Sequence, residues 1–128
     1  MLGIRYTPAI DMWSLGCVLY ELLTGLPLFI GEDEKDQMNC IIEVKGLPPR
    51  SMIVMASRRE IFFDEDYKPR KTTNSRGKER QVSSKQLEWL MQTEGERTDF
   101  VDFVDRCLEW KPDKRMTPSE AFEHRWIK

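Results

Sequence analysis

The 128-residue sequence has a single histidine, His124, and only three cysteines, Cys17, Cys40 and Cys107. The cysteines are odd in number, far apart and each beside an apolar residue. That pattern excludes a disulfide framework and a Cys-x-x-Cys metal site, and it fits buried thiols in a reducing compartment. No serine or cysteine is placed by sequence to serve as a nucleophile for His124, which reads as a packing or capping residue beside Trp126. An excess of charge of one sign is also missing. Twenty basic residues face twenty-two acidic ones, a net charge of −2, which promises neither nucleic acid nor an anionic membrane as partner. No signal-like apolar core precedes Asp11, so a cytoplasmic or nuclear location is expected.

What the sequence does hold is enough for one ordinary domain. Its 40% apolar and 33% charged residues are a soluble, globular balance. Charge is uneven along the chain: residues 50–85 carry ten Lys/Arg and five Asp/Glu. No aromatic interrupts the basic residues between Lys68 and Lys85, and no nucleic-acid motif surrounds them. The segment 64–85 is therefore expected to be a solvated charged loop, the most mobile internal stretch and a docking surface for an acidic partner.

One run demands explanation. From Met12 to Ile30 only Glu21 is charged. A membrane span is disfavoured by Glu21, by Gly25 and Pro27, and by the lack of flanking basic residues. As a helix starting near Asp11, the run repeats Leu15, Val18, Leu19, Leu22 and Leu23 at three- and four-residue spacing, with Trp13 and Cys17 on other faces. It is apolar nearly all round, as in a central helix packed on every side. Gly25 and Pro27 end it.

The remaining pattern is helical with a polar excursion. "EDEKDQMNCIIEVKG" predicts a half-exposed helix with Met38, Ile41 and Ile42 inward, stopping at Gly46. Residues 50–63 predict a short helix followed by an extended "REIFF", and "NSRG" a hairpin turn. "SKQLEWLMQ" predicts a short amphipathic helix capped by Ser84. "TDFVDFVDRCLEW" places Phe100, Val104, Cys107 and Leu108 on one face. Thr117-Pro118-Ser119-Glu120 is a capping box with proline at the first helical position. No internal repeat is present.

"AIDMWSLGCVLYELLTGLPLF", "RCLEWKPDKRMTPSEAFEHRWI" and the intervening "ASRREIFFD" and "NSRGKER" resemble the C-terminal lobe of a eukaryotic protein kinase. Within the CMGC group they are similar to the dual-specificity tyrosine-regulated (DYRK) family, over essentially the whole chain. The implied fold is mainly α, the helical C-lobe of a partial kinase domain over residues 1–128, with a polar, partly extended CMGC-type insert at about 50–90. The resemblance makes Asp11, Trp13, Gly16 and Arg115 structural motif residues. The residue matching Asp11 bonds the catalytic loop, and that matching Trp13 packs under the activation segment. Asp11 as a plain helix cap is compatible with this.

Arg115 matches the arginine that pairs with the glutamate closing the activation segment. The chain begins after the expected position of that glutamate, so a buried Arg115 without a carboxylate would cost several kcal/mol, or Arg115 turns to solvent.

Activity requires a Gly-rich loop, a strand lysine, a catalytic-loop Asp with its Asn, and a metal-binding D-F-G. None of these motifs occurs, and neither catalytic, cofactor-binding nor metal-binding residues are assigned. ATP and Mg2+ are implied for the complete domain only. The carboxylates of "FFDED" lack the glycine and spacing of a calcium loop and read as a solvated turn.

The expected function is thus that of a C-terminal segment of an ATP-dependent dual-specificity or Ser/Thr kinase, inactive alone. Its expected partners are the remainder of the kinase domain, protein substrates and docking proteins. The alternatives are a non-catalytic, kinase-derived interaction module and an unrelated helical domain. Exposure of part of the long apolar helix is expected when the chain is alone.

Overall fold

The computed structural model describes residues 9–70, 72–91 and 98–128. Seven helices order the described chain: α1 (Ala9–Thr24), α2 (Glu34–Lys45), α3 (Arg50–Met55), α4 (Arg59–Phe62), α5 (Leu87–Leu90), α6 (Thr98–Cys107) and α7 (Pro118–Phe122). Extended pairing among these residues is confined to two isolated antiparallel bridges, Phe63 with Pro69 and Thr73 with Glu79. The described residues form two compact units, 29–84 in one and 9–28 with 85–91 and 98–128 in the other. No helix among them is long and apolar enough to cross a membrane.

In the second unit α1 packs against α6. Met12, Gly16 and Tyr20 are the buried line on α1, four residues apart and so on one face. Met12 joins Phe103 and Cys107 of α6, and Met116 and Ala121, in one core, with Leu19 packed at its edge. The helices meet at Gly16, where an added Cβ would lie 2.8 Å from the Cys107 Cβ and 3.1 Å from Leu108 Cδ2. Glycine here allows the two backbones to approach. Burial pushes the Cys17 and Cys107 thiols up to about 11, so both stay protonated and unreactive.

Part of the apolar surface of α1 lies in water, as expected for the chain alone. Leu15, Val18 and Leu22 are exposed, Val18 by 51% and Leu22 by 77%. Asp11 is not the residue before the helix, since α1 already includes Ala9 and Ile10. The end came as expected: Gly25 has φ +78° and its N–H donates to the Glu21 carbonyl at 2.8 Å. The capping box of α7 forms as predicted, the Thr117 hydroxyl accepting from Glu120 N and Thr117 N donating to Glu120 Oε1, each at 3.1 Å. On α6, Val104, Cys107 and Leu108 are buried as predicted, whereas Phe100 is half-buried and Val101 and Phe103 complete the inward face.

The first unit is built on α2. Asp33 caps it, accepting from Asp36 N at 2.8 Å, and Gly46 closes it with its N–H on the Ile42 carbonyl at 2.9 Å. Beyond the predicted Met38, Ile41 and Ile42, the polar Asp36, Asn39 and Glu43 are buried too, so α2 is not half-exposed. Arg80 closes the polar side. Its Nε donates to Asp36 Oδ1 at 2.6 Å, Nη2 to Asp36 Oδ2 at 3.2 Å and Nη1 to Glu43 Oε1 at 3.1 Å, with all three side chains buried.

The segment 64–84 is consequently tied down at Arg80 rather than free throughout. "REIF" forms the helical turn α4 and not a strand, while Phe62 and Phe63 are both core residues. α5 spans one turn, and the Ser84 hydroxyl donates to the Gln81 carbonyl instead of capping it. The "NSRG" turn does form, Gly77 N donating to the Asn74 carbonyl at 3.0 Å.

Two measurable consequences follow from these contacts. Gly16→Ala forces its methyl into Cys107 and should destabilise the chain by about 1–3 kcal/mol in urea unfolding, whereas Gly77→Ala, with open space around it, strains only the turn. Hydrogen bonding from Arg80 holds the Asp36 carboxyl below its ordinary value of 3.8, against the opposing effect of burial. Its folded pKa lies below the unfolded one, so its contribution is complete above about pH 4 and disappears as pH falls through the folded value. Wild type should lose more stability than Asp36→Asn between about pH 4 and 2 in acid-titrated urea melts.

Candidate functional site

The residues with kinase-motif character lie mainly in the second unit, where α1, the 109–116 loop and α6 converge. The chain leaves α6 at Cys107 and runs through "EWKPDKRM"; Lys114 and Arg115 N–H groups both donate to the Lys111 carbonyl at 3.0 Å, which folds the loop into a tight turn. Met116 N then donates to the Arg106 carbonyl at 3.2 Å and seats Arg115 inward.

Arg115 is buried. Of the two expectations for it, burial without a carboxylate among the described residues is the one met, and the turn to solvent is corrected. Nε donates to the Glu109 carbonyl at 2.9 Å, Nη1 to the Ala9 carbonyl at 2.8 Å and Nη2 to the Trp110 carbonyl at 3.1 Å. The guanidinium carbon stands 5.2 Å from the Trp13 ring centroid, a cation–π distance. Trp13 in turn packs beside Trp110, with ring centroids 6.0 Å apart. A planar fork serves three carbonyls that point in different directions, which an ammonium could not do at one position. Burial pushes the pKa of Arg115 down from its usual range.

Gly16 and Trp13 are thus brought to the same helix, Gly16 facing α6 and Trp13 facing the Arg115 loop. Asp11 is exposed on the first described turns of α1.

His124 occupies a second polar junction. Its Nε2 is 2.8 Å from Asp102 Oδ2, and its Nδ1 accepts from Trp126 N at 3.0 Å. The accepting Nδ1 leaves the proton on Nε2, so the ring donates to Asp102 and has no free nitrogen for proton transfer. Arg106 Nε also donates to Asp102 Oδ2 at 2.8 Å. Burial opposes ionisation of Asp102, but these two donors outweigh it and lower its pKa. With Phe103 meeting the ring edge-on at 5.1 Å between centroids, His124 packs and caps as expected.

No group of three or more His, Cys, Asp or Glu among the described residues is arranged to hold a metal ion. Of the "FFDED" carboxylates, Asp64 Oδ1 accepts from Asp66 N at 2.8 Å and Lys68 N at 3.1 Å, making a turn. No catalytic step can be derived from these groups.

Sequence reasoning missed the Arg80–Asp36–Glu43 cluster. The one available signal was the polar stripe Asp36, Asn39, Glu43 along α2, which alone predicts solvent, and Arg80 is one basic residue among many in its segment.

The architecture has a match in known proteins. Over residues 2–127 the chain fits the protein kinase domain model, and it belongs to that family. It is 53% identical over 127 residues to human dual specificity tyrosine-phosphorylation-regulated kinase 4, covering 99% of this chain and 24% of that protein. Identity is 50% to dual specificity tyrosine-phosphorylation-regulated kinase 2 of Drosophila melanogaster, over 99% of this chain and 17% of that one. For the DYRK-family kinase pom1 of Schizosaccharomyces pombe it is 43%, over 99% and 12%. Within the kinase family, the chain is a DYRK-family segment, and it spans a quarter or less of the length of these curated relatives.

The Arg115 contacts give a direct test. Arg115→Lys keeps the charge but leaves at least two buried carbonyls short of a donor, and should cost about 2–4 kcal/mol in urea unfolding, most of what Arg115→Ala costs. Equal stability of the lysine variant and wild type would mean that charge alone matters at this position.

Proposed function

We propose that residues 1–128 are the C-terminal helical lobe portion of a DYRK-like kinase whose complete domain phosphorylates proteins on Ser/Thr and Tyr with ATP and Mg2+. Residues of about 50–90 correspond to its CMGC-type insert, and the chain alone transfers no phosphate. The supporting observation is α1: a helix with Leu15, Val18 and Leu22 in water, on a chain that matches a kinase domain, is built to be covered by more of that domain. The remainder of the kinase domain is accordingly its first partner, and protein substrates and docking proteins follow. Free cysteines in all three positions favour a reducing cytoplasmic or nuclear setting. Membrane and nucleic acid are not among the proposed partners.

One observation favours a second reading, a non-catalytic interaction module. Each guanidinium nitrogen of Arg115 already donates to a carbonyl of this chain. Reading frame sequence upstream of Met1 separates the two: in-frame H-R-D and D-F-G motifs support the segment of an active kinase, and a start codon with no kinase core supports the module.

The inactivity is tested on the chain itself. Incubated with Mg-ATP and a basic acceptor protein, it should incorporate no phosphate, and calorimetry should show no saturable ATP binding at micromolar concentration. Co-expression with the preceding part of a DYRK-type domain should restore transfer. Phosphate incorporation by the isolated chain would overturn the proposed division of labour.

A further inference from the structure

Within the first unit, the turn 72–80 is fastened to the head of α2 at two places of opposite character. One is the buried Arg80 with Asp36 and Glu43, to which the Asn74 side chain adds a hydrogen bond with Asp36. The other lies in solvent: Ser75 N donates to Glu32 Oε1 and the Ser75 hydroxyl donates to Glu32 Oε2, so one serine grips both oxygens of a carboxylate 43 residues away. The turn does not need this grip for its shape. Asn74 Oδ1 accepts from Arg76 N and Lys78 N, each at 3.0 Å, and Asn74 N donates to the Lys78 carbonyl at 3.0 Å. Ser75 therefore stands at an exposed, self-supporting tip, with its hydroxyl committed to a single charged acceptor.

We propose that Ser75 is a phosphorylation site whose phosphate releases the 72–80 turn from the head of α2. The exposed cations that flank it in sequence, Arg70, Arg76 and Lys78, suit a basic-directed serine/threonine kinase acting in trans. Of the hydroxyls in the segment, Ser75 is the one at the tip, whereas Thr73 sits in the bridge with Glu79 and the Thr72 carbonyl accepts from Arg80 N at 2.9 Å. In the transfer, Ser75 Oγ attacks the γ-phosphorus of a nucleoside triphosphate held by that kinase. The Oγ–P bond forms, the bond from γ-phosphorus to the β–γ bridging oxygen breaks, the nucleoside diphosphate leaves with the electron pair, and the hydroxyl proton passes to the kinase's own base.

The product no longer has a hydroxyl hydrogen to donate. Instead it brings close to two negative charges against Glu32, next to Asp33 and Glu34 at the same helix head. Glu34 is already paired, with Arg58 Nη2 at 2.5 Å, so that cation is not free to neutralise the phosphate. The exposed fastening at Ser75 opens, and the contacts of Arg80 and Asn74 with Asp36, out of reach of a modifying enzyme, keep the rest of the turn attached. The freed tip then presents Arg76 and Lys78 away from the acidic helix head.

Phosphoserine installed at position 75 of the full chain by nonsense suppression tests the release, read by hydrogen exchange. The Ser75 amide, and its neighbours at the tip, should exchange roughly tenfold faster than in the unmodified protein, with α2 unchanged. Ser75→Ala, which removes the donor without adding charge, should show a smaller increase. Glu32→Gln in the phosphoserine protein should restore slow exchange, because the glutamine Nε2 donates to the phosphate while its Oε1 accepts from Ser75 N. Unchanged exchange in the phosphoserine protein, or no recovery with Glu32→Gln, would overturn the release. Incubation of the unmodified chain with a basic-directed serine/threonine kinase and ATP, followed by phosphopeptide mapping, should find phosphate at Ser75; incorporation only at other residues would overturn the site.

Discussion

A buried guanidinium must find an acceptor for its donors and a partner for its charge, and each unit of this chain is organised around one that does. In the first unit Arg80 meets two carboxylates of α2, so charge and hydrogen bonds are answered together. In the second, Arg115 meets three backbone carbonyls and the face of Trp13, so the hydrogen bonds are answered while the charge rests on dipoles and a ring. Desolvating an arginine is costly, and removing one partner of such a group leaves the rest exposed to that cost. The loops carrying these arginines are consequently held in place by polar contacts as much as by apolar packing.

Carbonyl coordination of Arg115 has a structural consequence of its own. Glu109 and Trp110 belong to the loop after α6, and Ala9 opens the described part of α1, so the guanidinium joins two ends of the second unit that are about a hundred residues apart in sequence. Gly16 makes the same junction from the apolar side, where α1 lies against Cys107 and Leu108. Polar fork and missing side chain together set the distance between α1 and α6. The apolar residues on the other side of α1, Leu15, Val18 and Leu22, take no part in that junction.

The chain's histidine is held through both ring nitrogens, its thiols are protonated, and its clustered carboxylates shape a turn. Each of these groups among the described residues makes a structural contact. Kinase family membership and the lack of phosphate-handling groups in these residues are compatible because a kinase divides its work: one part holds nucleotide and metal, and helices support the parts that act.

Local order determined much of what could be read in advance. The capping box at Thr117, the glycine stops at Gly25 and Gly46, the inward faces of α2 and α6 and the "NSRG" turn all depend on residues within four positions of one another, and each formed. Motif spacing across the whole chain was equally informative, since the pairing of "DMWSLG" with "KPDKRMTPSEA" pointed to the family. The tertiary structure alone decided which polar residues would be buried. Asp36 and Glu43 look like the solvent side of a helix until Arg80 arrives from 37 and 44 residues away, and Ser75 is one more turn residue until it meets Glu32. It also decided that "REIF" closes into a helical turn, because Phe62 and Phe63 both enter the core and strand alternation would have turned one of them out. Hydrophobic periodicity reports the face of an element, whereas satisfaction of a buried charge depends on a partner brought in by the fold.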